Sequence, residues 1–172
     1  MNAEPGHSIR RHVVFVCTGN TCRSPLAEGI FRKQLPAKWK EIVLVSSAGV
    51  SAFPGTPVSH QSAAVAAENG VDISDMSADR LEGALLDATL YLVMEETHRR
   101  ALVTLHPEIA DRVFLLTDFL PRDHPLHAKG IPDPFGGALS RYRETYRVIE
   151  EAISKSWVAI ERRLDTGRAL PE

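Results

Sequence analysis

The run His12-Val13-Val14-Phe15-Val16-Cys17, together with the turn and helix directly after it, constrains the fold more than any other stretch of this chain. Its β-branched and aromatic residues show no polar alternation, the pattern of a strand buried on both faces. Thr18-Gly19-Asn20-Thr21 then reads as a turn. Ser24-Pro25 opens a helix, because proline suits the first helical turn. Leu26, Ile30, Phe31 and Leu35 carry the apolar face of that helix until Pro36 ends it. A strand covered on both faces that leads straight into a helix belongs in a layered α/β architecture.

The rest of the chain repeats the alternation. Residues 41–46 predict a second strand, followed by a loop over 47–57. Residues 59–69 predict an Ala-rich helix closed by Gly70, and 71–81 a loop leading into a short helix. A third strand is expected over 89–94, a third helix over 95–105 and a fourth strand over 113–116. Residues 117–137 form a long proline-rich loop, and loops of that length in compact domains usually carry function. Residues 139–164 predict a long amphipathic helix with Tyr142, Tyr146, Ile149, Ile153, Trp157 and Ile160 near one face. Trp39 and Trp157 read as packing residues. The pattern implies a parallel sheet with helices on both faces, in a single domain over 12–165, with a disordered lead over 1–11 and a frayed tail over 166–172. In such sheets ligands sit beyond the carboxyl ends of the strands, which draws attention to the segment after Val16 and the loop after Leu116.

Composition narrows the function. A net charge of -2 with scattered Lys and Arg gives no attraction to nucleic acid or to a membrane surface. No segment reaches the ~18 apolar residues of a membrane span. The polar N-terminus lacks the apolar core of a secretory signal, so a cytoplasmic location is expected. The two cysteines, Cys17 and Cys22, are too few for a disulfide framework or a structural zinc site. His124 and His127 lack a companion Cys or carboxylate pattern, so neither a metal nor a cofactor is expected.

The loop from Cys17 to Ser24 has the parts of a thiol nucleophile that binds an oxyanion. A free thiol is mostly protonated at neutral pH, and converging backbone N–H groups favour its anion while also binding phosphate oxygens. A helix N-terminus adds positive charge at the same point. Gly19 permits unusual backbone geometry, and Asn20 tolerates left-handed torsions while its amide ties the loop. Arg23 offers a planar fork to two oxygens, and Ser24 can donate to sulfur. The bland alternative is a buried Cys at a strand end beside a solvated Arg. A leaving group must also be protonated, and one carboxyl can act first as acid and then as base. Ile131-Pro132-Asp133-Pro134-Phe135-Gly136-Gly137 holds a single carboxyl between two prolines, which restrict its backbone. Alone, that Asp-Pro is more often an ordinary turn.

The stretch Val16-Cys17-Thr18-Gly19-Asn20-Thr21-Cys22-Arg23-Ser24-Pro25-Leu26-Ala27-Glu28 resembles the signature of the low-molecular-weight protein tyrosine phosphatase family. The likeness runs from His12 to about Ile160. It implies a three-layer α/β/α sandwich around a four-stranded parallel sheet, and phosphoprotein hydrolysis through a phosphocysteine, with inorganic phosphate as product. By the same resemblance Cys17 is the nucleophile, Arg23 the phosphate clamp and Asp133 the general acid, the family placing an aromatic residue, here Phe135, after its Asp-Pro. Thr18, Gly19, Asn20, Thr21, Cys22 and Ser24 form the phosphate loop, which Ser47 supports. Asp118 and Asp123 fit the acid pattern less well. Many tyrosine-directed members carry a His within the segment matching 74–81, where this chain has Asp75 and Met76, so that part of the network is expected to differ.

Substrate preference rests on fewer residues. The family's arginine phosphatase branch resembles this chain at Thr21 and at Asp133 to Gly137, whereas tyrosine-directed members tend to carry an aliphatic residue at the position of Thr21. A hydroxyl there can meet a guanidinium, whereas an aliphatic wall suits a phenyl ring. Phosphoarginine is therefore the expected substrate and phosphotyrosine the alternative. Phe53 either lines the pocket mouth or anchors its loop. Cys22 either forms a reversible disulfide with Cys17, as the family often does, or fills space. Arsenate reduction on the same fold would need further resolving cysteines, and a phospho-binding module without turnover would not need the intact set Cys17, Arg23 and Asp133.

Overall fold

The computed structural model describes residues 11–166. Four strands, β1 (Arg11–Cys17), β2 (Val43–Gly49), β3 (Leu90–Val93) and β4 (Val113–Leu115), form one parallel sheet in the order β2-β1-β3-β4. Five α-helices accompany them: α1 (Arg23–Gln34), α2 (Ala37–Lys40), α3 (His60–Glu68), α4 (Glu96–Leu105) and α5 (Leu139–Thr166). The fold is the expected Rossmann-like α/β sandwich.

The central strands are apolar throughout because both their faces are covered. Side chains alternate along a strand, so Val13, Phe15 and Cys17 of β1 join the core under α1, α3 and α5, while Val14 and Val16 join the core under α4. In β3, Leu90 and Leu92 face the first layer and Tyr91 and Val93 the second. Trp39 and Trp157 pack edge to face at 6.0 Å, and Phe31 meets Trp157 at 5.7 Å. Tyr142 and Tyr146 of α5 are buried.

β1 pairs with β2 on one side and β3 on the other, so the chain leaving Cys17 enters the crevice where the strand order reverses. β2 runs past its expected end at residue 46, because the ladder with β1 continues through Ser47 and Ala48 to Gly49 opposite Cys17. Serines carry little strand signal, and here the pairing partner overrides that. Residues 71–81 hold no helix; they make short bridges, Ser77 to Pro57 and Arg80 to Gly49, before a single 3-10 turn over Gly83–Asp87. The short helix α2 and the 3-10 turn over Leu116–Phe119 had no counterpart in the sequence pattern. Arg11 is already paired with Val43 in β1, and Thr166 is still within α5, one residue outside each expected domain boundary. The rest of the proposed lead and tail lies outside the described residues.

Candidate active site

The strand–loop–helix around Cys17 gathers most of the chemistry. The carbonyls of Cys17, Thr18 and Thr21 accept from the amides of Val50, Ser51 and Ser59 at 3.0, 2.9 and 2.8 Å. With the carbonyls engaged on the outside, the amides of Thr18 to Cys22 donate to no protein acceptor among the described residues. This is the backbone arrangement of an anion nest, and the N-terminus of α1 at Arg23 closes it. Asn20 takes the left-handed conformation at φ 54°. Gly19 does not, so the conformational freedom expected to matter there is unused; a Cβ would meet only Thr21 Oγ1 at 3.7 Å.

A chain of hydrogen bonds with fixed polarity supports the sulfur. The Glu28 carboxylate can only accept, so Ser47 donates to its Oε2 at 2.6 Å. The Asn20 amide then donates to Ser47 Oγ and to Ser24 Oγ, both at 2.9 Å. Ser24 Oγ lies 3.0 Å from Cys17 Sγ and 3.4 Å from the carbonyl oxygen of Ala48, so its hydrogen has two acceptors in reach, the sulfur being the nearer. Burial pushes the Glu28 carboxyl above its ordinary value, opposed by the Ser47 hydrogen bond and by Arg32, which pairs with it at 2.6 Å. Asn20 Oδ1 accepts from the main-chain amide of Asp79 at 2.8 Å. Where a histidine was absent from the sequence, a backbone group therefore completes the network.

Arg23 is buried and held from three sides. Nη1 pairs with Glu95 and donates to the carbonyl of Ile131 at 2.9 Å, and Nη2 donates to Asp133 Oδ2 at 2.9 Å. Cys17, Thr18, Gly19, Thr21, Cys22, Arg23, Asp133 and Phe135 line one cavity of about 210 Å³. A thiol, a guanidinium and a carboxyl thus share a small space floored by free amides, an arrangement able to bind a tetrahedral dianion and move a proton beside it.

The sequence profile described as low molecular weight phosphotyrosine protein phosphatase matches residues 12–166. The chain belongs to this phosphatase family. It is 35% identical over 144 residues to the protein-arginine-phosphatase of Geobacillus stearothermophilus, covering 83% of this chain and 91% of the relative. It is 38% identical over 144 residues to low molecular weight protein-tyrosine phosphatase A of Mycobacterium tuberculosis, covering 83% and 86%. The solved low molecular weight protein tyrosine phosphatase from T. tengcongensis superposes with a TM-score of 0.77 at 40% identity, over 88% of this chain and 99% of that one.

Not every residue singled out for this family's chemistry reaches the cavity. Phe53 is 79% exposed and neither lines the cavity nor packs into the core. Phe135 lines it while remaining 75% exposed at the rim. Both cysteines are free thiols; Cys22 Sγ lies 3.5 Å from Ser59 Oγ and 3.7 Å from the Tyr142 hydroxyl. That hydroxyl is pushed up to about 12 by burial and by Cys22. His124 pairs with Glu151 and His127 with the carbonyl of Leu120. Among the described residues no cluster of metal-ligating side chains occurs, and no helix is long and apolar enough to cross a membrane.

Three contributors carried too little sequence signal to be singled out. Glu95 stands two residues past the end of β3, and its place at a strand's carboxyl end was the available signal. His98, one turn into α4, bonds to Thr18 at 2.9 Å. Gly49 lies so close to the loop that a Cβ would stand 2.5 Å from the Thr18 carbonyl oxygen and 3.0 Å from Asn20 N.

Proposed function

We propose that the protein hydrolyses phosphorylated protein side chains through a phosphocysteine on Cys17, with phosphoarginine as its preferred substrate. The observation that carries the chemistry is the shared cavity of Cys17, Arg23 and Asp133 above unpaired loop amides. The substrate's phosphoryl oxygens occupy the nest, with Arg23 presenting its fork to two of them. The Cys17 thiolate attacks phosphorus, forming the S–P bond as the P–N or P–O bond to the side chain breaks. Asp133 gives its proton to the departing nitrogen or oxygen. Water then attacks the phosphocysteine while Asp133 takes its proton. The S–P bond breaks, the thiolate returns, stabilised by the Ser24 hydroxyl, and inorganic phosphate leaves.

Thr21 and Phe135 line the cavity that receives the side chain. The hydroxyl of Thr21 is a polar partner for a guanidinium, which supports the arginine reading. The exposed ring of Phe135 supports phosphotyrosine as the second reading, since aromatic faces stack. With only two cysteines, arsenate reduction lacks a resolving pair beyond the loop.

The test compares phosphoarginine and phosphotyrosine peptides of one sequence at equal concentration. Higher kcat/KM on phosphoarginine, with Thr21→Ile moving preference toward phosphotyrosine, is the expected result. Equal or reversed preference overturns the arginine reading. Phosphate release by wild type that persists in Cys17→Ser overturns the phosphocysteine.

A further inference from the structure

The imidazole of His98 bonds to the loop at Thr18 and to the backbone of Glu95, and is not part of the cavity lining. Its Nδ1 lies 3.1 Å from the backbone nitrogen of Glu95, and its Nε2 lies 2.9 Å from Thr18 Oγ1. A backbone N–H can only donate, so Nδ1 is the acceptor and the ring proton sits on Nε2. The ring therefore donates to Thr18 Oγ1. That leaves the Thr18 hydroxyl hydrogen with no acceptor among the described residues, on a residue that lines the cavity. Glu95, whose amide the ring fixes, is the carboxylate that pairs with Arg23.

We propose that His98 is a positioning residue for phosphate binding: as a neutral Nε2–H tautomer it sets the Thr18 hydroxyl to donate into the cavity and holds the Glu95 backbone from which Arg23 is aimed. This rests on the phosphatase reading for its consequence in turnover, but the geometry concerns oxyanion binding alone. His98 is 3% exposed as a residue, so water has little access to either nitrogen. Burial first, and then the Arg23 guanidinium, hold the imidazole down at about 4, against the opposing carboxylates of Glu95 and Asp133. A protonated ring would carry hydrogens on both nitrogens and meet the Glu95 amide donor head on.

The experiment uses the full chain in four variants: His98→Phe, which keeps a ring without nitrogens; His98→Gln, which keeps a donor toward Thr18; Thr18→Val; and Thr18→Ser. Two readouts are taken, p-nitrophenyl phosphate turnover and protection of Cys17 from iodoacetamide by inorganic phosphate. His98→Phe and Thr18→Val are each expected to lower kcat/KM by about tenfold to a hundredfold and to weaken phosphate protection by a similar factor. The double variant falls no further than the worse single one. His98→Gln and Thr18→Ser recover part of both losses. Melting followed by circular dichroism separates lost fold from lost positioning. Unchanged phosphate protection in folded His98→Phe overturns the proposal, as does full additivity of the two losses. If wild type releases no phosphate, the phosphatase reading fails, and the protection assay still decides the role of His98.

Discussion

Arg23 Nη2 donates to Asp133 Oδ2 at 2.9 Å, joining the proposed phosphate clamp directly to the proposed acid across most of the chain length. Nη1 is committed to Glu95 and to the carbonyl of Ile131. The Nε–Nη2 edge is therefore the fork left for two phosphate oxygens, and Nη2 is the arm that one of them shares with, or takes from, Asp133. Binding of the dianion and placement of the acid are mechanically coupled.

That coupling separates two substitutions at one position. Asp133→Asn keeps an acceptor for Arg23 and loses the transferable proton, whereas Asp133→Ala loses both. Both are expected to lower kcat on side-chain phosphoester or phosphoramidate peptides by ~10²–10⁴-fold. The loss is smaller on p-nitrophenyl phosphate, whose leaving group needs little protonation. Only Asp133→Ala is expected to change phosphate affinity as well. Steady-state kinetics with phosphate as inhibitor reads both.

The directed chain from Glu28 through Ser47 and Asn20 to Ser24 predicts a stability effect at its far end. Ser47→Ala leaves a buried carboxylate without its hydroxyl donor and one of the two Asn20 amide hydrogens without its acceptor. A loss of ~1–3 kcal/mol is expected from the unsatisfied groups, measured by urea unfolding. Thiol alkylation at neutral pH is expected to slow in the same variant, because the Ser24 hydroxyl is no longer held toward sulfur.

Gly49 is needed for space rather than for an unusual backbone angle. In Gly49→Ala the new methyl meets the Thr18 carbonyl, the Ala52 side chain and the Asn20 amide, at 2.5, 2.9 and 3.0 Å. Two of these are backbone atoms of the phosphate loop, so relief requires the loop itself to move. The expected outcome is a destabilisation of ~1–3 kcal/mol with a disproportionate fall in activity, seen by comparing unfolding midpoints with phosphate release.

His98 also predicts a pH dependence of stability. Its folded value near 4 lies below the ordinary 6.5, so the unfolded chain binds the proton more readily. Stability from this residue is intact above about pH 6.5 and declines as the solution is acidified toward about pH 4. Thermal melts across that range show the decline, and His98→Phe removes this component of it. A decline in that window that His98→Phe leaves unchanged or steepens contradicts the neutral ring.

The layered architecture was legible because β1 and β3 are apolar over nearly their whole length, a pattern that only a doubly covered strand tolerates. Cys17, Arg23 and their loop were legible for a related reason: strand, turn and helix are contiguous, so local sequence states their geometry directly. The far end of β2 was not legible, since Ser47, Ala48 and Gly49 are in strand only because β1 lies alongside.

The sequence by itself determined the parallel sheet, the place of the loop at a strand's carboxyl end, and the residue types available to handle a phosphate. Tertiary structure alone decided which of them meet: that Glu95 and Asp133 hold one guanidinium, that His98 orients Thr18, and that the amide of Asp79 replaces a side chain beside Asn20. These contacts join segments far apart in the chain, and a main-chain donor carries no residue signature. Hydrogen-bond partners at such separations follow from how layers pack, which local periodicity does not encode.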